Sequence, residues 1–488
     1  MLVGPFDRRK RRHRCGPCSR SHLKAGALCS GDSPCTACVK RNHACHYSTT
    51  SHTRPVILIG RGKHETIDTF VGQIQDELES SVANPQITKS PNASPMLFYF
   101  SYYDIFLQKN KFTGLGTPWK DVKELMKRGD PETYLLDAML SLGGMQALKL
   151  CEVSKSKKIH EFALESYTRA IAGLRHALSG TVDDAQSRAR ILWTTLLLGL
   201  FELMNDSTGD GWLQHLVHGT AQALIAGGPS TCISGSCRIF FTESKVFEVC
   251  RSVVFNQPSF LAEEKWMALS ASLRPSLTSR SQRALDLLLD IVVRCSSLRV
   301  QAANLIESIR SSGLAGIAEH AQGVSLQGFA LRDQLRGWAL IYHTSNVFRD
   351  LGTPQDSSLA DDRLSEPEPE PEPQLLAETF FSATSIYLSG VFDYEIGYWQ
   401  SLHLPAPTLS EDEIQQHVTS ILALSQRLIV ETSISPLLLL YPLRVASARA
   451  RQTSQKQQIM KLLGIARSSF AVAGAFMADI EDLWGTTV

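Results

Sequence analysis

Six cysteines lie within the first 45 residues of this 488-residue chain, and they constrain its fold more than any other feature. Their spacing is Cys15-x2-Cys18-x10-Cys29-x5-Cys35-x2-Cys38-x6-Cys45. The chain has eleven cysteines in all, and an odd total with one tight cluster does not fit a disulfide framework. Two pairs separated by two residues are instead typical of metal ligands.

Counting ligands narrows the kind of metal site. Zinc binds four thiolate or imidazole ligands in a tetrahedron, so six cysteines can hold two zinc ions only if two sulfurs bridge both metals. A head of about 45 residues has little apolar material for a core, and metal binding would supply most of its folding free energy. The alternative is one zinc held by the two closely spaced pairs, which leaves Cys29 and Cys45 unused.

The head resembles the fungal binuclear zinc-cluster domain, whose pattern is C-x2-C-x6-C, a short loop with proline, and a second C-x2-C-x6-C. Five of the six cysteines match in register, Pro34 lies in the loop, and Lys40 follows Cys38 by two residues. The resemblance covers about 31 residues. It implies two zinc ions per chain, bridged by Cys15 and Cys35, and double-stranded DNA as the partner.

One cysteine departs from the family pattern. The family separates its second and third cysteines by six residues, but this chain has Ala25 where the third is expected, and cysteine arrives only at Cys29. Removing residues 25–28 would restore the spacing. These four residues are either a tolerated bulge or a gene-model error at an exon junction, and the transcript across that junction distinguishes the two.

The short basic segment after the second cysteine also departs from the family. The position whose lysine typically reads DNA bases in the family is His22 here, and histidine can donate to a guanine edge but carries less charge near neutral pH. Arg20, Lys24, Lys40 and Arg41 remain for phosphate contact. We therefore expect DNA binding through these five residues, with weaker or altered base recognition. A surface histidine without a base contact is the alternative for His22.

Positive charge is concentrated in the head. Residues 1–47 hold ten Lys and Arg against Asp7 and Asp32, a net +8, whereas the whole chain has a formal net charge of +1, so the remainder carries −7. This asymmetry indicates a polyanionic partner.

A candidate nuclear import signal precedes the first cysteine and consists of Arg8, Arg9, Lys10, Arg11 and Arg12. A solvated arm that contacts phosphates is a compatible interpretation.

Residues 48–94 have the composition of a linker, rich in Ser, Thr, Asn and Pro. Within it, apolar residues at helical spacing predict one short amphipathic helix; they are Ile67, Phe70, Val71, Ile74 and Leu78. This helix is too short to establish a coiled coil. A homodimer is compatible with it but does not follow from it.

From residue 95 to 488 apolar residues repeat with a helical period, and alternating strand patterns are nearly absent. Helices are predicted near 134–142, 162–174, from Asp183 or Asp184 to Met204, 212–225 with a stop at 227–229, 285–295, 330–350, 375–395, 411–432 and 455–485. The predicted fold class is mostly α, with a small zinc-stapled head, a linker and a large all-helical domain.

An acidic Pro/Glu insert at about 352–374 is predicted to be a disordered linker, with an acidic activation surface as the alternative.

The large domain resembles the fungal transcription-factor regulatory domain that commonly follows such a head. The resemblance rests on Leu192-Trp193 before a Leu-rich helix, on residues 211–219, and on residues 246–260. It implies an all-helical regulatory module of a nuclear protein that regulates RNA polymerase II genes, with the transcription machinery or co-regulators as partners.

Several single residues in this domain have ordinary structural interpretations. Three tryptophans are predicted core anchors, namely Trp193, Trp212 and Trp266. The scattered cysteines are predicted to be small buried residues; they are Cys151, Cys232, Cys237, Cys250 and Cys295. His215 and His218 are three residues apart, but no nearby ligand completes a metal site, so packed or surface histidines are expected.

No catalytic motif is recognisable in the sequence. His160-Glu161 begins a zinc-protease-like motif, but Leu164 stands where the second histidine is required.

The most apolar stretch, Ile191–Leu203, is too short to span a bilayer, so no membrane partner is expected. We therefore expect a non-enzymatic, zinc-dependent, sequence-specific DNA-binding transcription factor. The alternative is a co-regulator whose head has lost sequence-specific DNA recognition.

Overall fold

The computed structural model describes residues 95–112, 122, 125, 133–151, 156–180, 184–208, 219–312, 317–344 and 371–485. These residues all belong to one structural unit of the chain, which covers residues 74–488. The zinc-cluster cysteines, the basic residues beside them and the predicted linker helix lie outside the described residues.

Helices account for nearly all of the described residues. In chain order they are α1 (Pro95–Lys109), α2 (Tyr134–Leu150), α3 (Ser156–Ser179), α4 (Ala185–Asn205), α5 (Ala221–Gly227), α6 (Gly235–Val254), α7 (Glu264–Leu273), α8 (Arg280–Ser312), α9 (Ala318–Tyr342), α10 (Pro371–Asp393), α11 (Ile396–Ser401), α12 (Glu411–Glu431), α13 (Leu440–Ser447), α14 (Thr453–Ser469) and α15 (Ala473–Gly485). Four short 3-10 turns join them at Pro229–Cys232, Phe260–Ala262, Arg274–Ser276 and Pro436–Leu439. The described part contains no strand, only an isolated bridge between Lys111 and Ile434, so the all-helical prediction is confirmed for this part.

The helices pack as two groups joined by α6. In the first group α2 packs against α1, α3 and α4. In the second, α10 packs against α8, α9, α12 and α13, while α14 packs against α12, α13 and α15. Helix α6 contacts α4 on one side and α8 on the other, so it connects the two groups.

Helix α10 lies at the centre of the second group. Residues 372–393 are long and apolar enough to cross a membrane by length and composition, yet the most apolar 18-residue window within them is completely buried in the fold. The stretch predicted to be the most apolar, Ile191–Leu203, is in α4 instead. Three buried hydroxyls of α10 donate to carbonyls of the same helix, Thr379 to Leu375, Thr384 to Phe380 and Ser385 to Phe381. These bonds satisfy polar groups that would otherwise be costly in a core.

Helix α10 begins inside the segment that was predicted to be a disordered acidic insert. Residues 371–374 are helical, because proline is tolerated in the first helical turn, where the backbone N–H has no acceptor within the helix. The Glu372 carboxylate accepts from Lys111 Nζ at 3.0 Å and from the Ser433 N–H at 3.2 Å, which anchors this turn. The insert prediction is therefore corrected for these four residues, and residues 345–370 lie outside the described part.

Local sequence features set several helix ends as predicted. Asp184 caps α4 by accepting from the N–H groups of Gln186 and Ser187, both at 2.8 Å. Gly228 ends α5 with a positive φ of 74°. The helix predicted over 455–485 is two helices instead, because the chain becomes extended at Phe470, whose side chain is fully buried.

Helix α2 owes its close packing to two adjacent glycines. A Cβ atom at Gly143 would lie 2.0 Å from the carbonyl oxygen of Tyr99 in α1. On the other side, a Cβ atom at Gly144 would lie 2.7 Å from the Cβ of Ala163 in α3. The absence of side chains therefore allows both neighbouring helices to approach the α2 backbone.

We predict that Gly143→Ala destabilises the protein by about 1–3 kcal/mol, because the backbone carbonyl of Tyr99 cannot move aside for the added methyl group. Gly464→Ala is the matched control, since Gly464 is an exposed position in α14 with no atom within 4 Å of an added Cβ. That change should stabilise the protein by about 0.5–1 kcal/mol through helix propensity. Urea unfolding of the full chain measures both, and equal effects of the two changes would contradict the predicted close contact.

Candidate functional site

The predicted zinc and DNA-binding residues all lie outside the described residues, as do His215, His218 and Trp212. Among the described residues no group of three or more His, Cys, Asp or Glu side chains could hold a metal ion. His160 lies at the surface, with its Nε2 3.3 Å from Asn205 Oδ1.

The scattered cysteines and tryptophans are mostly core residues, as predicted. Trp193 and Trp266 are almost completely buried, as are four of the five cysteines. Burial raises the pKa of the Cys295 thiol to about 12 and that of Cys232 to about 11, so neither is a ready nucleophile. Cys151 differs, since it is half-buried and its thiol donates to the Tyr102 hydroxyl at 3.2 Å.

A buried ion cluster joins α6, α7 and α8. Lys245 Nζ, on a side chain only 2% exposed, lies 2.6 Å from carboxylate oxygens of both Asp286 and Asp290. Arg274 pairs with the same two carboxylates, and its Nε is 2.8 Å from Asp286 Oδ2. Ser270 accepts from Lys245 Nζ at 2.6 Å and donates to Asp290. Two cations and two anions balance, so the cluster is electrically neutral and fully paired.

A second buried ion pair explains part of the segment 246–260. The Arg251 guanidinium donates to both carboxylate oxygens of Glu248, at 2.8 and 2.7 Å. It also donates to the Gln257 side chain and to the Pro258 carbonyl, each at 3.0 Å. This arginine therefore ties the turn after α6 back to the helix, where Asn256 adopts a positive φ of 53°. Its role is structural.

A small pocket opens between α9, α10, α12 and the segment 404–410. Its volume is about 50 Å³, enough for a few water-sized groups. The wall is mainly apolar, and its apolar lining residues are Leu335, Ala339, Phe381, Leu388, Pro407 and Leu409. The polar lining residues are Arg332, Arg336, Ser385, Ser389, Glu413 and His417.

The segment 404–410 is held against the helices by specific contacts. The Ser325 hydroxyl of α9 donates to the Pro405 carbonyl at 2.6 Å, and the Leu409 N–H donates to the Ser389 hydroxyl of α10 at 2.9 Å. A Cβ atom at Gly328 would lie 2.8 Å from the Pro407 ring, so this glycine permits the close approach of the segment to α9. The segment is thus a fixed wall of the pocket.

Two arginines in the pocket wall lack a close carboxylate partner. The Nε of Arg332 is buried and has no hydrogen bond within the described part, and its guanidinium lies 4.8 Å from the centre of the Phe329 ring. Burial lowers the pKa of Arg332 and the like charge of Arg336 lowers it further, whereas the charges of Asp333 and Glu413 oppose the shift. Arg336 forms an ion pair with Asp333 at 4.0 Å, and the Asp333 side chain is 71% exposed.

The one carboxylate in the pocket wall is occupied by a helix cap. Glu413 Oε2 accepts from the Ser410 N–H at 2.7 Å and from the Ser410 hydroxyl at 2.8 Å, closing the capping box of α12. The lining has two guanidinium groups and one carboxylate, and the exposed Asp333 beside Arg336 adds a second carboxylate at the rim. The buried Nε of Arg332 has no acceptor, so the pocket favours a ligand group that accepts hydrogen bonds.

His417 forms the deep end of this pocket and is 4% exposed. Its ring packs against Phe381 with centroids 5.7 Å apart, and His343 packs on the same phenylalanine at 5.2 Å. Burial lowers the pKa of His417 to about 4, the positive form of His343 acts in the same direction, and Glu413 opposes the shift. His417 is therefore neutral at physiological pH.

Only one local sequence pattern, in α9, points to this pocket. Arg332 and Arg336 are four residues apart, and like charges at this spacing destabilise an isolated helix. They also border the buried residues Leu335 and Ala339 of the same helix. Glu413 and His417 lie about 80 residues further along the chain, and no local pattern connects them to α9.

Comparison with known proteins now gives the family. The Fungal specific transcription factor domain matches residues 116–486, about three quarters of the chain. The chain belongs to this family. It is a fungal transcription regulator, and the resemblance of its large domain to the fungal regulatory domain is confirmed.

Other comparisons add little to this assignment. An uncharacterized protein of Emericella nidulans is 28% identical over 110 residues, which is 22% of this chain. The matched region spans only 23% of the length of that relative. No solved structure matches the chain.

We predict that Lys245→Met destabilises this fungal transcription regulator by about 3–5 kcal/mol, because two buried carboxylates then share the single charge of Arg274. Lys265→Met is the control, since the Lys265 and Glu263 side chains are both more than half exposed and their pair should contribute less than about 1 kcal/mol. Urea unfolding gives both values. A Lys245→Met protein as stable as the control would show that the cluster contributes little.

We also predict that the regulator loses stability in mild acid because of His417. Its pKa is lowered from 6.5 in the unfolded chain to about 4 in the fold, so between these values only the unfolded chain binds the proton. Stability should therefore fall as the pH drops below 6.5, by about 3 kcal/mol in all, at roughly 1.4 kcal/mol per pH unit.

His417→Leu should remove this contribution and flatten the dependence of the unfolding free energy on pH. His176→Gln, at an exposed position in α3, should leave the wild-type slope. Unfolding measured at several pH values between 4 and 7.5 compares the three proteins. An unchanged slope in His417→Leu would mean that other groups cause the acid sensitivity.

Proposed function

We propose that this regulator is a zinc-dependent, sequence-specific DNA-binding transcription factor that controls RNA polymerase II genes in the nucleus. The observation that carries the proposal is the joint presence of a six-cysteine head and a Fungal specific transcription factor domain in one chain. The family is one of regulators, and the proposed activity is binding rather than catalysis.

The donor set of the head suits zinc. Thiolates are soft ligands that favour zinc over magnesium or calcium, and two bridging sulfurs would complete two tetrahedra. The proposed ligands are Cys15, Cys18, Cys29, Cys35, Cys38 and Cys45. When bound, the two zinc ions would supply the cross-links that a head without an apolar core needs in order to fold.

The proposed DNA contact combines base reading with phosphate contact. The short helix after the second cysteine would enter the major groove, with His22 facing base edges. Arg20, Lys24, Lys40 and Arg41 would contact phosphates and release counterions, which makes binding depend on salt. The basic run Arg8–Arg12 would serve nuclear import and could also contact the DNA backbone.

Membership of the family supports a proposal for the partners of the large domain. A regulatory domain of this class would contact the transcription machinery or co-regulators, and no membrane partner is proposed. A homodimer would place two heads on DNA, and the selected DNA sites would then contain two half-sites at a fixed spacing.

A second candidate function is a co-regulator that binds zinc but has lost sequence-specific DNA recognition. Two features of the head favour it, namely His22 at the base-reading position and the four residues 25–28 that displace Cys29. The two candidates share zinc binding and differ only in DNA preference. One experiment can therefore separate them.

We expect the purified full chain to contain two zinc ions by elemental analysis and to enrich a defined sequence from random duplexes. Affinity for that sequence should fall steeply with salt, by on the order of tenfold or more between about 50 and 200 mM. Cys18→Ala should lose zinc and DNA binding together, whereas the control Cys151→Ala removes a thiol outside the head and should lose neither.

The possible outcomes distinguish the candidates. Two zinc ions without sequence enrichment would favour the co-regulator. One zinc ion would favour the single-site alternative built on the closely spaced cysteine pairs. Zinc-loaded protein without salt-dependent DNA binding would overturn the proposed transcription-factor function.

A further inference from the structure

We propose that the pocket between α9, α10 and α12 is a binding site for a short-chain monocarboxylate. The carboxylate group would lie at Arg332 and Arg336, and the hydrocarbon part would lie against the apolar wall formed by Leu335, Leu388 and Leu409. This site goes beyond the proposed DNA binding, because all of its residues belong to the large domain.

The charge distribution of the domain points to this pocket. In the ion cluster of α6, α7 and α8, Lys245 and Arg274 are both paired with carboxylates, and Arg251 is paired with Glu248. A wider cleft of about 270 Å³ between α7, α8 and α9 has two of these paired residues, Arg274 and Asp290, in its wall. These paired groups need no added anion.

The pocket differs because its two arginines lack close, buried carboxylate partners. Arg332 makes no ion pair with any residue that the structure describes, and its buried Nε lacks a hydrogen bond. Arg336 lies one helical turn away, repels Arg332 and pairs only at 4.0 Å with the largely exposed Asp333. Glu413, the only carboxylate in the wall, attracts Arg332 but accepts its hydrogen bonds from Ser410. A bound carboxylate would accept from guanidinium N–H groups and relieve this repulsion.

The remaining lining limits the class of ligand. A second carboxylate on the ligand would meet Glu413 and find no further cation in the wall, so dicarboxylates are disfavoured. The serine hydroxyls are already committed, Ser385 to the Phe381 carbonyl and Ser389 to Asp393, so a sugar or polyol would find few free donors. His417 at the deep end is neutral and packed on Phe381, which suits a hydrocarbon group.

Size sets a further limit. A water-sized group needs about 10–15 Å³ of cavity. The pocket of about 50 Å³ therefore accommodates only a few non-hydrogen atoms of a ligand, in addition to the ligand atoms that contact the rim. A branched chain of four or five carbons fits this requirement. Isovalerate (3-methylbutanoate) is therefore the probe, and isovaleramide is its neutral counterpart of nearly the same shape.

The test is calorimetric titration of the purified full chain with the two probes. We expect isovalerate to bind with a dissociation constant on the order of 1 mM or tighter, as a ligand of this size allows. Isovaleramide should bind at least about tenfold more weakly, because it lacks the charge that the arginines recognise. This comparison uses only the wild-type protein and does not depend on how a variant folds.

Two variants locate the site, and one matched variant controls for charge. Arg332→Gln and Arg336→Gln should each weaken isovalerate binding by at least about tenfold. Arg427→Gln removes an exposed arginine from α12, where it pairs with Glu431 outside the pocket, and should leave the affinity unchanged. Because Arg336 is about half exposed, its replacement should not threaten folding.

Three results would overturn the proposal. They are no binding of isovalerate at up to about 10 mM, equal affinities for the acid and the amide, and wild-type affinity in both pocket variants. The titration contains no DNA, so its outcome is independent of whether the head binds DNA. Failure of this site and failure of the proposed transcription-factor function can therefore be told apart.

Discussion

The burial of α10 along its length is the constraint on which the arrangement of the second helix group depends. Helices α8, α9, α12 and α13 pack around it. Thr379, Thr384 and Ser385 of this helix therefore donate to carbonyls one turn earlier in the same helix. The pocket lies between α10 and two of these neighbours, α9 and α12, and it opens to solvent beside the half-exposed Arg336.

Charge is handled in two different ways within this fold. The cluster around Lys245 and the pair around Arg251 place cations and carboxylates together at hydrogen-bond distance. The energetic cost of burying each charge is therefore offset by its partner within the protein. At Arg332 and Arg336 the compensation is weaker, because Arg332 makes no ion pair among the described residues and Arg336 pairs at 4.0 Å with the largely exposed Asp333. The tightly paired clusters hold helices in place, whereas a loosely paired arginine is a position where an added carboxylate can accept further hydrogen bonds.

The sequence predicted what depends on short-range patterns. Helical periodicity gave the fold class, Asp184 marked the start of α4, and the buried tryptophans followed from residue type. It could not predict the start of α10, because Glu372 is held there by Lys111 and Ser433, which are 261 and 61 residues away in the chain. The break at Phe470 depends equally on distant contacts, since the N–H of Val472 bonds to the carbonyl of Leu203 in another helix. The pocket combines residues from three helices, and only the like-charged pair in α9 is visible locally.

The two halves of the proposed regulator therefore rest on different physics. For the proposed zinc head the prediction rests on ligand counting, because a short basic segment without an apolar core would need a metal in order to fold. In the large domain, helix packing determines the structure. A ligand can shift the domain between two conformations only if it binds one of them more tightly than the other. A carboxylate in the pocket would touch α9, α10 and α12 together, including the wall that Ser325 and Ser389 hold in place. Of the sites described here, it is the one where a small molecule could change how these three helices pack without breaking an existing ion pair.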